Sequence, residues 1–246
     1  MFFEIDNIGK VKNARLEMRG VTVLAGNNNT GKSTFGKALF SIFNAFFESE
    51  KTIKKERKNN IEKILSPFLS PQNYRPNQAT KITNDILTNI DLPQKILHLI
   101  RDNIEQQIIV QSRMGKNSEE ILFEKIKNAI AISDEQIQKN ILTKYLRSEF
   151  DDQITHINHS ERHGLISLTI KNSKLETDIY KNECTNYSDE IGVIYKAFYI
   201  DTPFIIDAVD QRFNNYPKYS RQRELLQSLS ATDEENNLVE TEILRQ

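Results

Sequence analysis

The chain has 246 residues and nearly balanced charge, with 33 basic and 34 acidic side chains and a formal net charge of −1. This balance excludes a global electrostatic attraction to nucleic acids or anionic membranes. The single cysteine, Cys184, excludes an internal disulfide framework and a thiolate metal cage, and it favours a cytoplasmic location. No apolar stretch approaches the roughly 18–20 residues of a membrane-spanning helix, so we expect no membrane insertion.

The first 25 residues predict three β-strands. Residues 2–8 alternate loosely, and residues 14–18 alternate apolar with charged side chains, as half-buried strands do. Residues 21–25 form a short apolar, β-branched run between Gly20 and Gly26. That profile is typical of a buried parallel strand.

A glycine-rich loop follows the third predicted strand. From Ser33 to Phe47 apolar residues recur every three or four positions, which predicts an amphipathic helix of about four turns. The segment between this helix and the strand matches the phosphate-binding pattern of Gly, four residues and Gly-Lys-Ser/Thr. It reads Gly26-Asn27-Asn28-Asn29-Thr30-Gly31-Lys32-Ser33. A strand before the motif and a helix after it are the context that the motif requires, so the sequence predicts nucleotide binding.

Each residue type in this loop has a chemical role. Glycines allow a concave backbone whose N–H groups face phosphate oxygens, and the N-terminus of the following helix adds positive potential. Lys32 is the candidate catalytic residue because its ammonium can reach the β- and γ-phosphates, and Ser33 is the candidate Mg²⁺ ligand. We therefore expect ATP and Mg²⁺ as cofactors. The predicted nucleotide-binding residues are Gly26, Asn27, Asn28, Asn29, Thr30, Gly31, Lys32, Ser33 and Thr34, the last near the α-phosphate.

Residues 1–47 resemble the ABC-type ATPase heads of the SMC, RecF and OLD group. The resemblance lies in residues 3–11, residues 16–26, the loop and residues 36–39. It implies an α/β fold, with a P-loop NTPase core, an ABC-type antiparallel β-subdomain and a large helical insertion. It also implies that residues 10–13 lie near the adenine base. Nucleotide kinases usually place the loop directly after their first strand, so the 25-residue lead-in disfavours that class.

Residues 48–149 predict the helical insertion. Four prolines between positions 67 and 93 mark turns, and residues 96–147 carry apolar side chains at helical spacing. Ser133 and Gln136 form a predicted capping box. A basic cluster invites a DNA-binding interpretation, but interspersed glutamates favour a solvated helix face. The cluster contains Lys51, Lys54, Lys55, Arg57, Lys58 and Lys63.

The remaining chain is expected to complete the core. Residues 164–180 predict a β-hairpin that extends the sheet of residues 2–18. The expected domains are thus an ATP-binding core of residues 1–47 and 150–210, the insertion, and a helical connecting tail of residues 211–246. A zinc site is a further possibility, but no cysteine supports it and its spacing straddles a turn, which favours ordinary turn histidines. Its donors would be His156, His159, His163 and Glu161.

Two elements of a complete ABC-type ATPase have no match in the sequence. No Ser-Gly pair is present to contact the γ-phosphate that a second head binds. The Walker B strand ends in an Asp-Glu pair, but Asp201 is followed by Thr202-Pro203 instead of Glu. Asp134-Glu135 is better explained by the capping box, and Gln211 is the candidate for the glutamine that couples Mg²⁺ to the helical lobe. We therefore expect the N-terminal part of a longer ATPase, or a variant without its second half, that does not hydrolyse ATP by itself.

The resemblance also implies partners and a cellular role. The expected partners are ATP, the missing C-terminal half and a second ATPase head in a homodimer, and the expected role is DNA maintenance or anti-phage defence. Net charge gives no support for DNA binding. Two alternatives remain open: a P-loop phosphotransferase for a small substrate, which would transfer phosphate as this chain alone, and a non-catalytic, nucleotide-gated scaffold whose insertion binds a protein.

Overall fold

A computed structural model of the chain describes residues 1–28, 30–69, 77–106, 108–109, 118–193 and 196–197. These residues form two compact units. One unit contains residues 1–47 together with the described residues from 142 onward, and the other contains residues 48–141. Within the described ranges no helix has the length and apolar character needed to cross a membrane.

The first unit contains a mixed α/β arrangement around one antiparallel sheet. The sheet has five strands in the described residues, in the order β2-β1-β3-β4-β5. The predicted hairpin is confirmed as β3 and β4, and β3 pairs with β1, so the hairpin does extend the N-terminal sheet. Strand β5 was not predicted from the sequence. The strands are β1 (Phe2–Ile8), β2 (Val11–Glu17), β3 (Gly164–Ile170), β4 (Ser173–Tyr180) and β5 (Glu183–Asp189).

Helix α1 (Lys32–Phe46) confirms the helix predicted after the loop. Alternate residues of β1, Phe3 and Ile5, are buried, as period-two packing requires. The Phe3 ring meets Phe35 of α1 edge-on, with centroids 6.1 Å apart, and Ile42 of α1 is also fully buried. Apolar contact between sheet and helix therefore fixes where the loop before α1 lies.

The predicted parallel strand at residues 21–25 is not formed. Val21 is 86% exposed, Val23 is 81% exposed, and neither belongs to a strand. A parallel strand needs a parallel neighbour, and every strand pairing in the described residues is antiparallel. An apolar, β-branched composition without a backbone partner was therefore not enough to bury this segment.

The second unit is helical. Its core consists of aliphatic side chains, among them Ile61, Ile86, Ile100 and Ile126, which are fully buried. Pro93 occupies the first turn of α4, where its missing N–H costs nothing. The boundary with the first unit falls inside the last of the five α-helices that follow α1 in the described residues. These are α2 (Ser49–Leu65), α3 (Gln78–Thr88), α4 (Pro93–Glu105), α5 (Ser118–Ala131) and α6 (Asp134–Glu149).

Arg57 of the basic cluster has a structural role. Its guanidinium donates to the carbonyl oxygens of Ile130 at 2.7 Å and Ile132 at 2.8 Å, and to the carboxylate of Asp134 at 2.6 Å. These groups lie at the C-terminus of α5 and the start of α6. Arg57 thus donates hydrogen bonds to carbonyl oxygens that have no partner within the helix, as cations at the C-terminus of a helix often do.

The capping interaction predicted at Ser133 is confirmed. The backbone N–H of Gln136 donates to Ser133 Oγ at 3.2 Å, whereas the Gln136 side chain donates to Asn140 instead of closing the box. We expect Ser133→Ala to lower the free energy of unfolding by about 1 kcal/mol, because one N–H of the first turn loses its acceptor. Urea titration measures this loss, with exposed Ser148→Ala in the same helix as the control; equal losses in both variants would contradict the capping role.

Candidate nucleotide-binding cleft

The phosphate-loop motif ends in a left-handed turn at Gly31. Gly31 has φ 93° and lies immediately before α1, where its carbonyl accepts from the N–H of Thr34 at 3.0 Å. A Cβ at Gly31 would lie 2.6 Å from Cγ2 of Val11. Backbone conformation and contact with the β1–β2 hairpin therefore both require glycine here.

The Lys32 ammonium lies over the loop. Its Nζ donates to the carbonyl oxygens of Gly26 at 2.8 Å and Asn27 at 2.5 Å, while the Thr30 hydroxyl donates to the same Asn27 carbonyl at 2.9 Å. An ammonium has three donors, and among the described residues these two carbonyls are its hydrogen-bond acceptors. One N–H therefore remains for a phosphate oxygen.

The N-terminus of α1 supplies further positive potential. Its first turn contains no acidic residue, and no side chain of the described residues caps it. The unpaired N–H groups of a first helical turn, with the helix dipole, favour an anion. Lys32 and Lys37 add two cations to this end of the helix.

A cleft of about 640 Å³ adjoins the loop. Three segments line it: the β1–β2 turn at Gly9 and Lys10, the loop with the start of α1, and residues 149–157, which begin with the last residue of α6. Ligand sites for small organic molecules commonly enclose about 300–1,000 Å³. The cleft is therefore large enough for a nucleotide.

The third segment is held against the other two by specific contacts. Lys37 Nζ donates to the carbonyl oxygen of Glu149 at 2.9 Å, and the N–H of Gly9 donates to the carbonyl of Ile154 at 2.7 Å. A Cβ at Gly9 would lie 3.0 Å from Cε1 of Phe150. None of these residues was predicted to belong to the site.

Asn182, in the β4–β5 turn, anchors this segment from behind. Its Oδ1 accepts hydrogen bonds from the N–H groups of Ile154 at 2.8 Å and Thr155 at 2.9 Å, and from the Thr155 hydroxyl at 3.1 Å. Both donor residues are fully buried. One side-chain oxygen thus satisfies three donors behind the cleft.

We expect Asn182→Gly to lower the free energy of unfolding by about 2–3 kcal/mol, because buried donors lose their acceptor. Glycine tolerates the left-handed φ of 61° at this position, so backbone strain does not contribute to the loss. Asn182→Asp keeps an acceptor oxygen at the same place and should lose less than about 1 kcal/mol. Urea titration of the three proteins tests this, and equal losses in both variants would argue against the anchoring role.

The structure brings most of the predicted site residues to the cleft. Asn28, Gly31, Lys32, Ser33 and Thr34 line it. Gly26 and Asn27 accept from Lys32, and Thr30 donates within the loop, as described above. Four predicted features lie outside the described residues: Asn29, Asp201, Gln211 and the tail at 211–246.

The donor set at the cleft fits Mg²⁺ better than zinc. Ser33 is exposed at the cleft, and Glu149 and Asp151 line it too. Protein-bound Mg²⁺ commonly uses one or two side-chain ligands, with substrate phosphates and water completing its octahedron. In the described part of the chain, no group of three or more His, Cys, Asp or Glu side chains is placed to hold a metal ion.

The histidines form ring contacts rather than a shared metal site. His163 stacks on Tyr180 with centroids 4.7 Å apart, and His156 lies 5.2 Å from His159. His156 Nδ1 accepts from the N–H of Asn158 at 3.2 Å. The interpretation as turn histidines accounts for these contacts.

Comparisons with protein-family models, with curated proteins and with solved structures found no match to this chain.

Proposed function

We propose that this chain binds ATP together with Mg²⁺ at the loop of residues 26–33, as the ATP-binding part of an ABC-type ATPase of the SMC, RecF and OLD group. The observation that carries the proposal is the convergence of three anion-binding features on one cleft. They are the phosphate-loop motif, the Lys32 ammonium and the uncapped N-terminus of α1.

In this proposal the chain's own residues position the triphosphate. Backbone N–H groups of the loop and of the first turn of α1 bind phosphate oxygens, and Lys32 neutralises charge on the β- and γ-phosphates. Ser33 holds one ligand position of Mg²⁺, which supplies further charge neutralisation when bound. The β1–β2 turn lies along the cleft, where the resemblance expects the adenine side.

Hydrolysis is proposed to need groups from outside this sequence. No Ser-Gly signature occurs in the chain, so a second head or a further segment would have to contact the γ-phosphate. ATP binding would then drive association of two heads, in DNA maintenance or anti-phage defence. These roles come from the resemblance alone.

Calorimetric titration of the chain with ATP tests the proposal. We expect binding at one site that is weakened when EDTA removes Mg²⁺, no binding of adenosine at the same concentrations, and negligible release of phosphate. Failure to bind ATP would overturn the proposal. Robust turnover that survives repurification would overturn its account of hydrolysis, and phosphate transfer to a small acceptor would favour the phosphotransferase alternative.

A further inference from the structure

The cleft has one wall whose chemistry the triphosphate does not explain. Of residues 149–157, Asp151, Gln153 and Ile157 line the cleft, and Ile157 is 73% exposed. A triphosphate is bound by cations and N–H donors, and the loop with α1 already provides them. A carboxylate and an apolar side chain suit a different part of a nucleotide.

Contacts at Gly9 locate this wall relative to the phosphates. A Cβ at Gly9 would lie 3.2 Å from Cγ2 of Thr34 and 3.0 Å from Cε1 of Phe150, so both side chains lie beside Gly9. Thr34 is the residue expected near the α-phosphate, which is the phosphate bonded to the ribose. Phe150 and the adjoining Asp151 are therefore on the nucleoside side of the cleft.

The turn that carries Asp151 is held in a defined conformation. Asp151 and Asp152 both have left-handed backbones, with φ of 51° and 65°. The N–H of Asp152 donates to the carbonyl of Arg147 at 2.9 Å, and that of Gln153 donates to the carbonyl of Phe150 at 3.0 Å. Consecutive left-handed residues other than glycine are uncommon and persist where the surrounding structure enforces them. The turn is thus preorganised.

We infer that Asp151 accepts a hydrogen bond from a ribose hydroxyl and makes the cleft selective for ribonucleotides over deoxyribonucleotides, an inference that rests on the proposed nucleotide binding. An ionised carboxylate is an acceptor only, and a ribose hydroxyl is a donor. A carboxylate has the same role toward the ribose in dinucleotide-binding folds. Ile157 provides apolar surface for the base.

Titrations with ATP, 2′-deoxy-ATP and 3′-deoxy-ATP, each with Mg²⁺, test the inference. We expect the wild-type chain to bind ATP about tenfold more tightly than at least one of the deoxynucleotides, as expected for one hydrogen bond to a charged group. In Asp151→Asn this ratio should fall to about threefold, because the neutral amide oxygen accepts a hydrogen bond of about half the strength. Asparagine keeps the size of the side chain and tolerates a left-handed backbone, so the turn is preserved.

The matched control is Asp152→Asn, which removes the same charge from the neighbouring residue, one that does not line the cleft; it should keep the wild-type ratio. Loss of a negative charge near the triphosphate would raise the affinity for all three nucleotides by the same factor, so the ratio between ATP and the deoxynucleotides would not change. If the wild type binds ATP without preference, or if Asp151→Asn keeps the preference, the inference is wrong while the proposed function stands. If the wild type binds no nucleotide, both are wrong.

Discussion

Replacing Lys32 with alanine is expected to weaken ATP binding at least a hundredfold, to below detection by calorimetry. The lost ammonium both donates a charge-assisted hydrogen bond and neutralises phosphate charge, and a hundredfold loss corresponds to about 2.7 kcal/mol. Alanine is a good helix former, so the start of α1 should be preserved. Unchanged circular dichroism would show that the chain still folds.

The control for this variant is Lys144→Ala, which removes the same charge from an exposed position that does not line the cleft. It should keep the wild-type affinity, because charges in solvent are screened within about 8–10 Å at moderate ionic strength. Equal affinities of Lys32→Ala and the wild type would rule out the loop as the triphosphate site.

The second large effect is expected for Gly31→Ala, with a loss of roughly 2–5 kcal/mol in the free energy of unfolding. About 1–2 kcal/mol comes from a side chain at φ 93°, and about 1–3 kcal/mol comes from overpacking, since the new Cβ would lie 2.6 Å from Cγ2 of Val11. ATP binding should fall as well, because the loop must shift to relieve the contact. Urea titration and calorimetry measure the two losses.

Gly20→Ala is the matched control for the steric part of this loss. Gly20 is also left-handed, with φ 56°, but a Cβ there would meet nothing within 4 Å, so only the backbone strain of about 1–2 kcal/mol remains. The double variant Gly31→Ala with Val11→Ala should recover part of the loss relative to the sum of the two single variants. Strict additivity would show that the contact with Val11 does not matter.

Local sequence signals predicted the elements whose partners lie nearby or whose pattern is strongly periodic. The alternation in β1, the change of period at α1 and the paired runs of β3 and β4 each contain the information that forms the element. Gly31 of the loop motif likewise has the left-handed backbone that favours glycine. These features place the loop at one end of the cleft.

Two segments were not predicted correctly, because composition alone does not determine strand pairing. Residues 21–25 have the composition of a buried strand but no partner among the described strands, whereas β5 has a partner but little apolar pattern, with Cys184 its only buried residue. Pairing with β4 forms β5, and no composition rule contains that pairing. In both cases, whether the segment forms a strand depends on whether a neighbouring strand is available for backbone pairing.

Composition and local pattern also failed to predict one part of the site, the segment of residues 149–157 that lines the cleft. Residues 149–157 are more than a hundred residues away from the loop, and they reach it through single contacts such as Lys37 with the Glu149 carbonyl and Gly9 with Ile154. None of these contacts corresponds to a recognisable sequence motif. The one available signal was Asp151-Asp152 directly after a helix, which indicates a turn but not a ligand.

The most direct test of the central claim, that a nucleoside triphosphate occupies this cleft, is to map amide chemical shifts of ¹⁵N-labelled protein during titration with ATP and Mg²⁺. The largest changes are predicted for residues 26–34, with a second group at residues 9–10 and 149–157, and with small changes for residues 48–141. No changes at saturating ATP, or changes confined to the helical unit, would contradict the account.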